Sequence, residues 1–353
     1  MALALALAGR GLGNVAPNPA VGCVIVQGST IVGRGHTQPG GRPHAERVAL
    51  DRAGTAARGA TAYVTLEPCG HHGATPPCAA ALAAAGVARV VSALTDPDPR
   101  VSGRGHAQLR AAGVQVDEGV MEAEARALNA GFLLRVTHGR PWLTLKLALT
   151  LDGRIATASG ASRWITGPLA RRMVHALRAR HDAVMVGVGT VLADDPDLTV
   201  RDIGAPRQPV RVVLDSQLRL PADSRLVRSA AQVPVWLCHT APRRRMAGLR
   251  LIGCAPGADG RVDPADALRQ LAGAGLTRVF CEGGGTLAAS LLAADLVDEL
   301  VCFSAGRVFG AGGTPAVAAG ALAPRLPSAP AFELCESRAV GDDLMHRWLR
   351  RRG

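Results

Sequence analysis

A small set of metal-binding residue types limits the folds that this chain can adopt. His44 and Glu46 are followed by Cys69 and then by Cys78, each close to a proline or at the edge of a regular segment. One neutral imidazole and two thiolates bind zinc with a fourth position open for water, which is the arrangement of catalytic rather than structural sites. A zinc site of this kind requires a fold that brings residues 44, 69 and 78 together.

Strand-like and helix-like segments alternate along the chain and are separated by short glycine-bearing turns. This alternation predicts an α/β fold, with a three-layer α/β/α sandwich in the first half and a second α/β domain after it. In the first half we expect strands at 20–26, 30–35, 61–66, 88–94 and near 114, and helices at 44–53, 77–85, 103–111 and 121–134. In the second half we expect strands at 142–147, 183–186, 210–214, 233–238 and 278–281, and helices at 264–272 and 287–294.

The length of 353 residues favours two domains. A polar stretch with glycine and proline at 137–141 separates the two halves, so we predict domains at 1–138 and 139–353. The apolar residues 1–8 lack the charged start of a signal peptide, and no apolar stretch has the ~20 residues of a membrane span. We therefore expect a cytoplasmic protein without a membrane partner.

The formal net charge of +12 indicates anionic partners. Of the 40 basic residues 39 are arginine, and they are scattered without a dense run, which argues against a nucleic-acid partner. Phosphorylated small molecules remain as partners that fit the charge.

The motifs that contain Cys69 and Cys78 predict the role of each residue in the set. His44, Cys69 and Cys78 are the expected zinc ligands, and Glu46 lies two residues from the histidine, where it can reach a bound water without being a ligand. Zinc lowers the pKa of such a water toward ~7, and a carboxylate can carry its proton to a departing amine. The alternative is a closed structural site with His71 or His72 as the fourth ligand.

Two features of the second half suggest a second site. Lys146 is the only lysine of the chain and lies inside an apolar strand, which suggests a compact ammonium where arginine does not serve. Gly283, Gly284 and Gly285 lie between a strand and a helix, so their amides can bind a pyrophosphate. The turn lacks the G-x-G-x-x-G pattern of a standard Rossmann domain.

The motifs of both halves resemble one family. A His-x-Glu and a Pro-Cys are typical of zinc nucleobase deaminases, but eight residues here separate the two cysteines. With its long spacing, the segment 67–78 resembles the deaminase half of the bifunctional riboflavin-biosynthesis deaminase-reductase, and so do residues 17–23 and 43–46. Residues 151–156, 162–166, 189–196 and 282–287 resemble the reductase half, in the same order.

The resemblance implies a cytidine-deaminase-like α/β/α domain followed by a dihydrofolate-reductase-like α/β domain. It implies zinc hydrolysis of a ring amine on a diaminopyrimidinone ribosylamino 5′-phosphate, then NADPH reduction of the ribosyl group to ribityl. We also expect a homo-oligomer. The implied proton shuttle is Glu46, and Lys146 stays a candidate catalytic group of the second half because it is the only lysine. The implied NADPH-binding residues are Ala148, Trp164, Thr190, Asp194, Gly284, Gly285, Thr286, Leu287, Ala288, Ala289 and Ser290. The implied substrate-binding residues are Asn18, Ser162, Arg178, Leu198, Arg201 and Glu282.

Two positions depart from the family pattern. Ala74 stands where a lysine or arginine is expected, and Thr37 stands where a histidine is common, with His36 one place earlier. These departures leave open a chain with only one active half. Two rival functions also stay open: a zinc deaminase that acts on nucleic-acid bases, and a zinc-stabilised binding module that senses a dinucleotide.

Overall fold

The computed structural model describes residues 1–70, 76–99, 102–204, 207–241, 246–318 and 328–351. The chain divides into two compact units, Met1–Gly139 and Arg140–Gly353. Among the described residues, no helix is long and apolar enough to span a membrane.

The first unit contains a five-stranded sheet in the order β2-β1-β3-β4-β5. β1 runs antiparallel to β2 and β3, whereas β3, β4 and β5 are parallel. The strands are β1 (Gly22–Gln27), β2 (Thr30–His36), β3 (Thr61–Val64), β4 (Arg89–Ser92) and β5 (Gln115–Asp117), and the helices are α1 (Ala2–Ala8), α2 (Ala45–Ala53), α3 (Cys78–Ala84), α4 (Arg104–Ala111) and α5 (Glu122–His138).

Alternate residues of β1 face two different helical layers. Val24 packs against Ala4 and Leu7 of α1, whereas Cys23 and Ile25 belong to the core that α2 and α3 cover. This period of two is what a strand buried on both faces requires. The first unit is therefore a three-layer α/β/α sandwich.

Glycine allows α2 to lie directly on the sheet. A Cβ added at Gly33 would lie 2.2 Å from Ala49 O, and one added at Gly35 would lie 2.2 Å from Ala45 O. The backbones of β2 and α2 are thus in contact without a layer of side chains between them. This contact places the first turn of α2, with Glu46, against the sheet.

The second unit contains a nine-stranded sheet in the order β11-β10-β9-β8-β12-β6-β13-β16-β15. It is parallel from β11 to β13, and β16 and β15 add an antiparallel hairpin at one edge. The strands are β6 (Trp142–Thr150), β7 (Arg154–Ala156), β8 (Ala183–Gly187), β9 (Val210–Leu214), β10 (Val235–His239), β11 (Arg250–Gly253), β12 (Arg278–Gly283), β13 (Glu299–Ala305), β14 (Thr314–Pro315), β15 (Phe332–Val340) and β16 (Asp343–Arg350). The helices are α6 (Pro168–Arg178), α7 (Val188–Asp194), α8 (Arg225–Arg228), α9 (Pro264–Gly273) and α10 (Gly285–Ala293).

Helices cover both faces of this sheet. Leu145 on β6 packs in a core with Leu271 of α9 and Leu291 of α10, whereas Phe280 on β12 packs in a second core with Val174 of α6. A parallel sheet needs this cover because both of its faces are apolar.

Several elements of the second unit differ from the sequence-based expectation. The sequence pattern did not predict α6, α7, β13 or the β15–β16 hairpin. α6 begins with Pro168 and buries Ala170 and Val174 on one face, which is an ordinary amphipathic helix. The short strand β14 lies in a stretch rich in alanine, glycine and proline, and residues 319–327 of that stretch lie outside the described part of the chain.

Candidate functional sites of the two units

The three predicted zinc ligands lie together in the first unit. His44 is the N-cap of α2, Cys69 lies five residues after the end of β3, and Cys78 begins α3. His44 Nδ1 is 3.7 Å from Cys69 Sγ and 3.3 Å from Cys78 Sγ, and the three donor atoms lie within 4.8 Å of one another. Tetrahedral zinc holds N and S ligands roughly 3.5 Å apart, so this donor set fits zinc.

The two sulfur atoms already share hydrogen bonds in this structure. The Cys78 N–H donates to Cys69 Sγ over 3.3 Å. Donation from the Cys78 side chain, together with this N–H and His44, lowers the pKa of Cys69 to about 4. A thiolate is the form that binds a metal.

Glu46 has the position that a proton-transfer group needs. Its side chain is buried, and among the described residues Oε2 has no hydrogen-bond partner. Burial raises the pKa of Glu46 to about 7, although the nearby His44 opposes the shift. A buried carboxyl oxygen without a hydrogen-bond partner, beside three possible metal ligands, is suited to accept a proton from a substrate or a water.

Glu67 is a buried carboxylate that the sequence motifs did not single out. It accepts four backbone N–H groups, from Asp96 at 3.1 Å, Gly103 at 2.9 Å, Gly105 at 2.9 Å and His106 at 3.3 Å. The segment that follows β4 is thus tied to the segment that carries Cys69. The sequence feature that could have indicated Glu67 is its position directly before Pro68 and Cys69.

Asn18 lines the same pocket as His44, Cys69 and Glu46. Asn129 of α5 holds the segment that follows Asn18. Its side chain accepts a hydrogen bond from Ala20 N at 2.9 Å and donates one to Ala20 O at 3.0 Å. A Cβ added at Gly41, whose φ is 86°, would lie 1.8 Å from Asn18 Nδ2. Asn18 is therefore fixed from two sides.

Thr37, one of the two departures, also lines this pocket, but its hydroxyl is 3.0 Å from the donor Val21 N and 3.4 Å from Val21 O. It stabilises the local backbone. Ala74, His71 and His72 lie outside the described residues. The lining residues that the sequence motifs did not indicate are Arg42, Leu66, Asp96, Asp98 and Phe132.

In the second unit the structure joins three predicted residues in one charged cluster. Glu282 on β12 accepts from the guanidinium of Arg178, with one contact of 3.0 Å from Nη2, and lies 3.9 Å from Lys146 Nζ. Burial alone raises the pKa of Glu282, but Arg178 and Lys146 lower it to about 2. Burial lowers the pKa of Lys146, and Glu282 opposes this shift.

The glycine turn forms an open cradle before α10. Gly283 and Gly284 have φ values of 94° and 93°, and a Cβ at Gly284 would lie 3.2 Å from Thr190 Oγ1. Thr190 donates to Gly283 O over 3.2 Å, so α7 and the turn are in contact. Because β6 and β12 are parallel neighbours, Ala148 lies near the same end of the sheet. This backbone fits a pyrophosphate at the start of α10.

Trp164 and Asp194 are connected through Arg163. The Trp164 ring is 63% exposed and lies 4.7 Å from the guanidinium of Arg171 and 5.8 Å from that of Arg163. Arg163 also lies 3.8 Å from an Asp194 carboxylate oxygen. Ser162 precedes this pair and is half-buried.

Two of the predicted ligand-binding residues have side chains that are buried in the protein. Ala288 is fully buried among core residues, and Leu198 is 3% exposed with a φ of 55°. Each can meet a ligand only through its backbone. Arg201 is exposed and lies 3.4 Å from Asp197, and Arg178 donates over 2.7 Å to Thr199 O in the same loop.

Both units match known protein families. Residues 1–94 match the zinc-binding region of cytidine and deoxycytidylate deaminases, and residues 141–346 match the RibD C-terminal domain. The sites and the folds together define a zinc deaminase followed by a reductase.

Similar proteins extend over nearly the whole chain. The riboflavin biosynthesis protein RibD of Escherichia coli is 46% identical over 98% of this chain and 96% of its own length, and that of Haemophilus influenzae is 42% identical over 98% and 95%. A solved structure of Acinetobacter baumannii RibD has a TM-score of 0.89 with 37% identity, covering 99% of this chain and 97% of its own. The chain belongs to the RibD family of bifunctional deaminase-reductases of riboflavin biosynthesis.

These matches confirm the predicted family, the α/β fold class and the two enzyme activities. The deaminase half binds zinc and the reductase half uses NADPH. The nucleic-acid deaminase and the binding module are thereby set aside in favour of riboflavin biosynthesis.

Proposed function

We propose that the first unit deaminates a pyrimidine ribosyl phosphate, with His44, Cys69 and Cys78 as the zinc ligands. The observation that carries this proposal is the meeting of these three donors beside the buried Glu46. The solved Thermotoga maritima structure, at 35% identity and a TM-score of 0.88, is of a diaminohydroxyphosphoribosylaminopyrimidine deaminase/5-amino-6-(5-phosphoribosylamino)uracil reductase, which names the substrate class.

Glu46 moves the proton in this reaction. When bound, zinc makes water a usable nucleophile near neutral pH. Glu46 takes a proton at Oε2 and delivers it to the amine, which leaves as ammonia while the ring carbon gains an oxo group. Asn18, which packs on Gly41, holds the edge of the pyrimidine ring.

The second unit reduces the ribosyl group. NADPH supplies the hydride, so the protein has to orient the dinucleotide and the sugar. The backbone from Gly284 to Leu287 holds the pyrophosphate, together with Thr190. Arg178, Arg201 and Glu282 contact the phosphorylated sugar, and Lys146 donates an N–H to a sugar oxygen.

The test follows the two reactions separately in zinc-loaded protein. Wild type is expected to release ammonia from the diaminopyrimidine ribosyl phosphate and then to oxidise NADPH. Glu46→Gln should lower kcat for ammonia release by about 10²- to 10⁴-fold and still reduce the supplied deaminated intermediate. Wild-type protein that releases no ammonia would contradict the proposal for the first unit.

A cytoplasmic location and a homo-oligomeric state stay predictions. All eight cysteines are free thiols, which suits a reducing compartment. Cell fractionation and light scattering are the measurements for the two predictions.

A further inference from the structure

Four carboxylates and one guanidinium line the deaminase pocket. Glu67, Asp96 and Asp98 follow β3 and β4, Glu46 lies in the first turn of α2, and Arg42 precedes α2. Among the described residues that line this pocket, Arg42 is the only lysine or arginine. A ligand with a strongly anionic group therefore has one cation to meet there.

The acidic part of the pocket is already tied to the backbone. Glu67 accepts four N–H groups, and Asp96 Oδ1 accepts from Asp98 N over 2.9 Å. The negative charge of these carboxylates repels a phosphate group. The phosphate of a substrate must then lie away from them.

The backbone on either side of Arg42 is held in place while its side chain stays exposed. Gly40 N donates to Asn14 O over 2.8 Å, and Gln38 N donates to Pro43 O over 3.1 Å. Gly41 packs directly on Asn18. A fixed backbone with an exposed guanidinium is a suitable arrangement for a phosphate at the mouth of a pocket.

We propose that Arg42 binds the 5′-phosphate of the substrate in the deaminase half. This inference rests on the proposed function, which supplies the phosphorylated substrate. A guanidinium binds phosphate oxygens through two parallel hydrogen bonds, which an alanine at position 74 cannot offer. Arg42 thus makes the deaminase selective for the phosphorylated form.

Steady-state ammonia release tests the role of Arg42 in substrate binding. The variants are Arg42→Gln, Arg42→Lys and, as a matched control, Arg47→Gln, since Arg47 is exposed on α2 and pairs with Asp51 at 3.1 Å. For Arg42→Gln we expect KM for the phosphorylated substrate to rise roughly 10- to 100-fold. KM for the dephosphorylated substrate should stay at the wild-type value, and Arg42→Lys should recover part of the loss.

Two results would overturn the inference while the proposed function stands. One is a KM for Arg42→Gln equal to that of Arg47→Gln. The other is an equal rise in KM for both forms of the substrate, which would mean that Arg42 only shapes the loop. Ammonia release from the dephosphorylated substrate at the wild-type kcat shows that the first unit of the variant is folded.

A second measurement does not depend on turnover. Phenylglyoxal modifies exposed arginines, and peptide mass spectrometry reports the extent at each position. Inorganic phosphate is expected to protect Arg42 and to leave Arg47 reactive. Equal modification of Arg42 with and without phosphate contradicts the inference, whereas wild-type protein that fails to release ammonia contradicts the proposed function.

Discussion

Each unit buries a carboxylate beside its site, but the two carboxylates are neutralised by different groups. Glu67 in the first unit accepts four backbone N–H groups, whereas Glu282 in the second faces the side chains of Arg178 and Lys146. Backbone donors belong to one segment, so Glu67 determines the shape of that segment. Cationic side chains can also bind an anionic substrate. Glu282 therefore holds two positive charges at a place where a substrate can contact them.

Metal removal should separate the two sites completely. Because only the first unit gathers His44, Cys69 and Cys78, chelation is expected to abolish ammonia release. NADPH oxidation with the deaminated intermediate should continue at the wild-type rate, because no step in the second unit needs zinc. A parallel loss of both activities on chelation would show that the second unit depends on the metal of the first.

Glu282→Ala tests the neutralisation by cations. The change leaves Arg178 and Lys146 buried without their counter-charge, which costs about 3 to 5 kcal/mol of the free energy of unfolding of the second unit. Hydrogen exchange of peptides from β6 and β12 measures this loss. Glu333→Ala, on the exposed strand β15, is the control, and an equal effect of the two changes would contradict the prediction.

Glu67→Gln tests the neutralisation by the backbone. The new amide turns one acceptor into a donor that faces backbone N–H groups, so we expect a loss of about 1 to 3 kcal/mol. Faster hydrogen exchange should be confined to the segment around Gly103–His106. The exposed Glu124→Gln is the control, and unchanged exchange at Gly105 would show that the four hydrogen bonds do not hold the segment.

A deeply buried histidine should make the second unit sensitive to mild acid. Burial, with a smaller contribution from Arg278, lowers the pKa of His181 to about 4 from the 6.5 of a free imidazole. Above 6.5 the ring is neutral in both states, and below it the unfolded chain binds the proton first, so the free energy of unfolding falls as the pH drops toward 4. Between pH 7.5 and 6 this loss is about 1 kcal/mol.

Denaturant unfolding at the two pH values measures this loss. His181→Gln keeps groups that can reach Leu177 O and Thr144 Oγ1 but cannot bind the proton. The variant should lose less stability than wild type over the same pH range. Equal pH dependence in the two proteins would contradict the assignment to His181.

The meeting of His44, Cys69 and Cys78 could be predicted from the sequence because short motifs carry these residues. His44 and Glu46 share one helical turn, and Cys69 follows a strand that could be recognised from its β-branched and aromatic residues. Ligation of one metal would require a long-range contact between residues 44, 69 and 78, and the structure brings these residues together. Helix α5, by contrast, extends to His138, four residues beyond the expected end. Gly139 follows it in the left-handed conformation, which ends the helix.

Other parts of the sites depend on contacts that no local pattern contains. Arg42, Asp96 and Phe132 line one pocket only because three separate segments meet there. The family resemblance named Arg178 and Glu282, yet their pairing depends on α6, which the sequence pattern did not reveal. The antiparallel β16 was also missed, since its register with β13 is set across some 40 residues of chain.

The direct backbone contact between β2 and α2 has a consequence for metal binding. Gly33 and Gly35 offer no ligand atom themselves, yet a methyl group at either would push against the helix whose N-cap is His44. Such a change moves one ligand relative to the other two, which belong to different elements. A substitution at either glycine should therefore lower the affinity for zinc before it unfolds the protein as a whole.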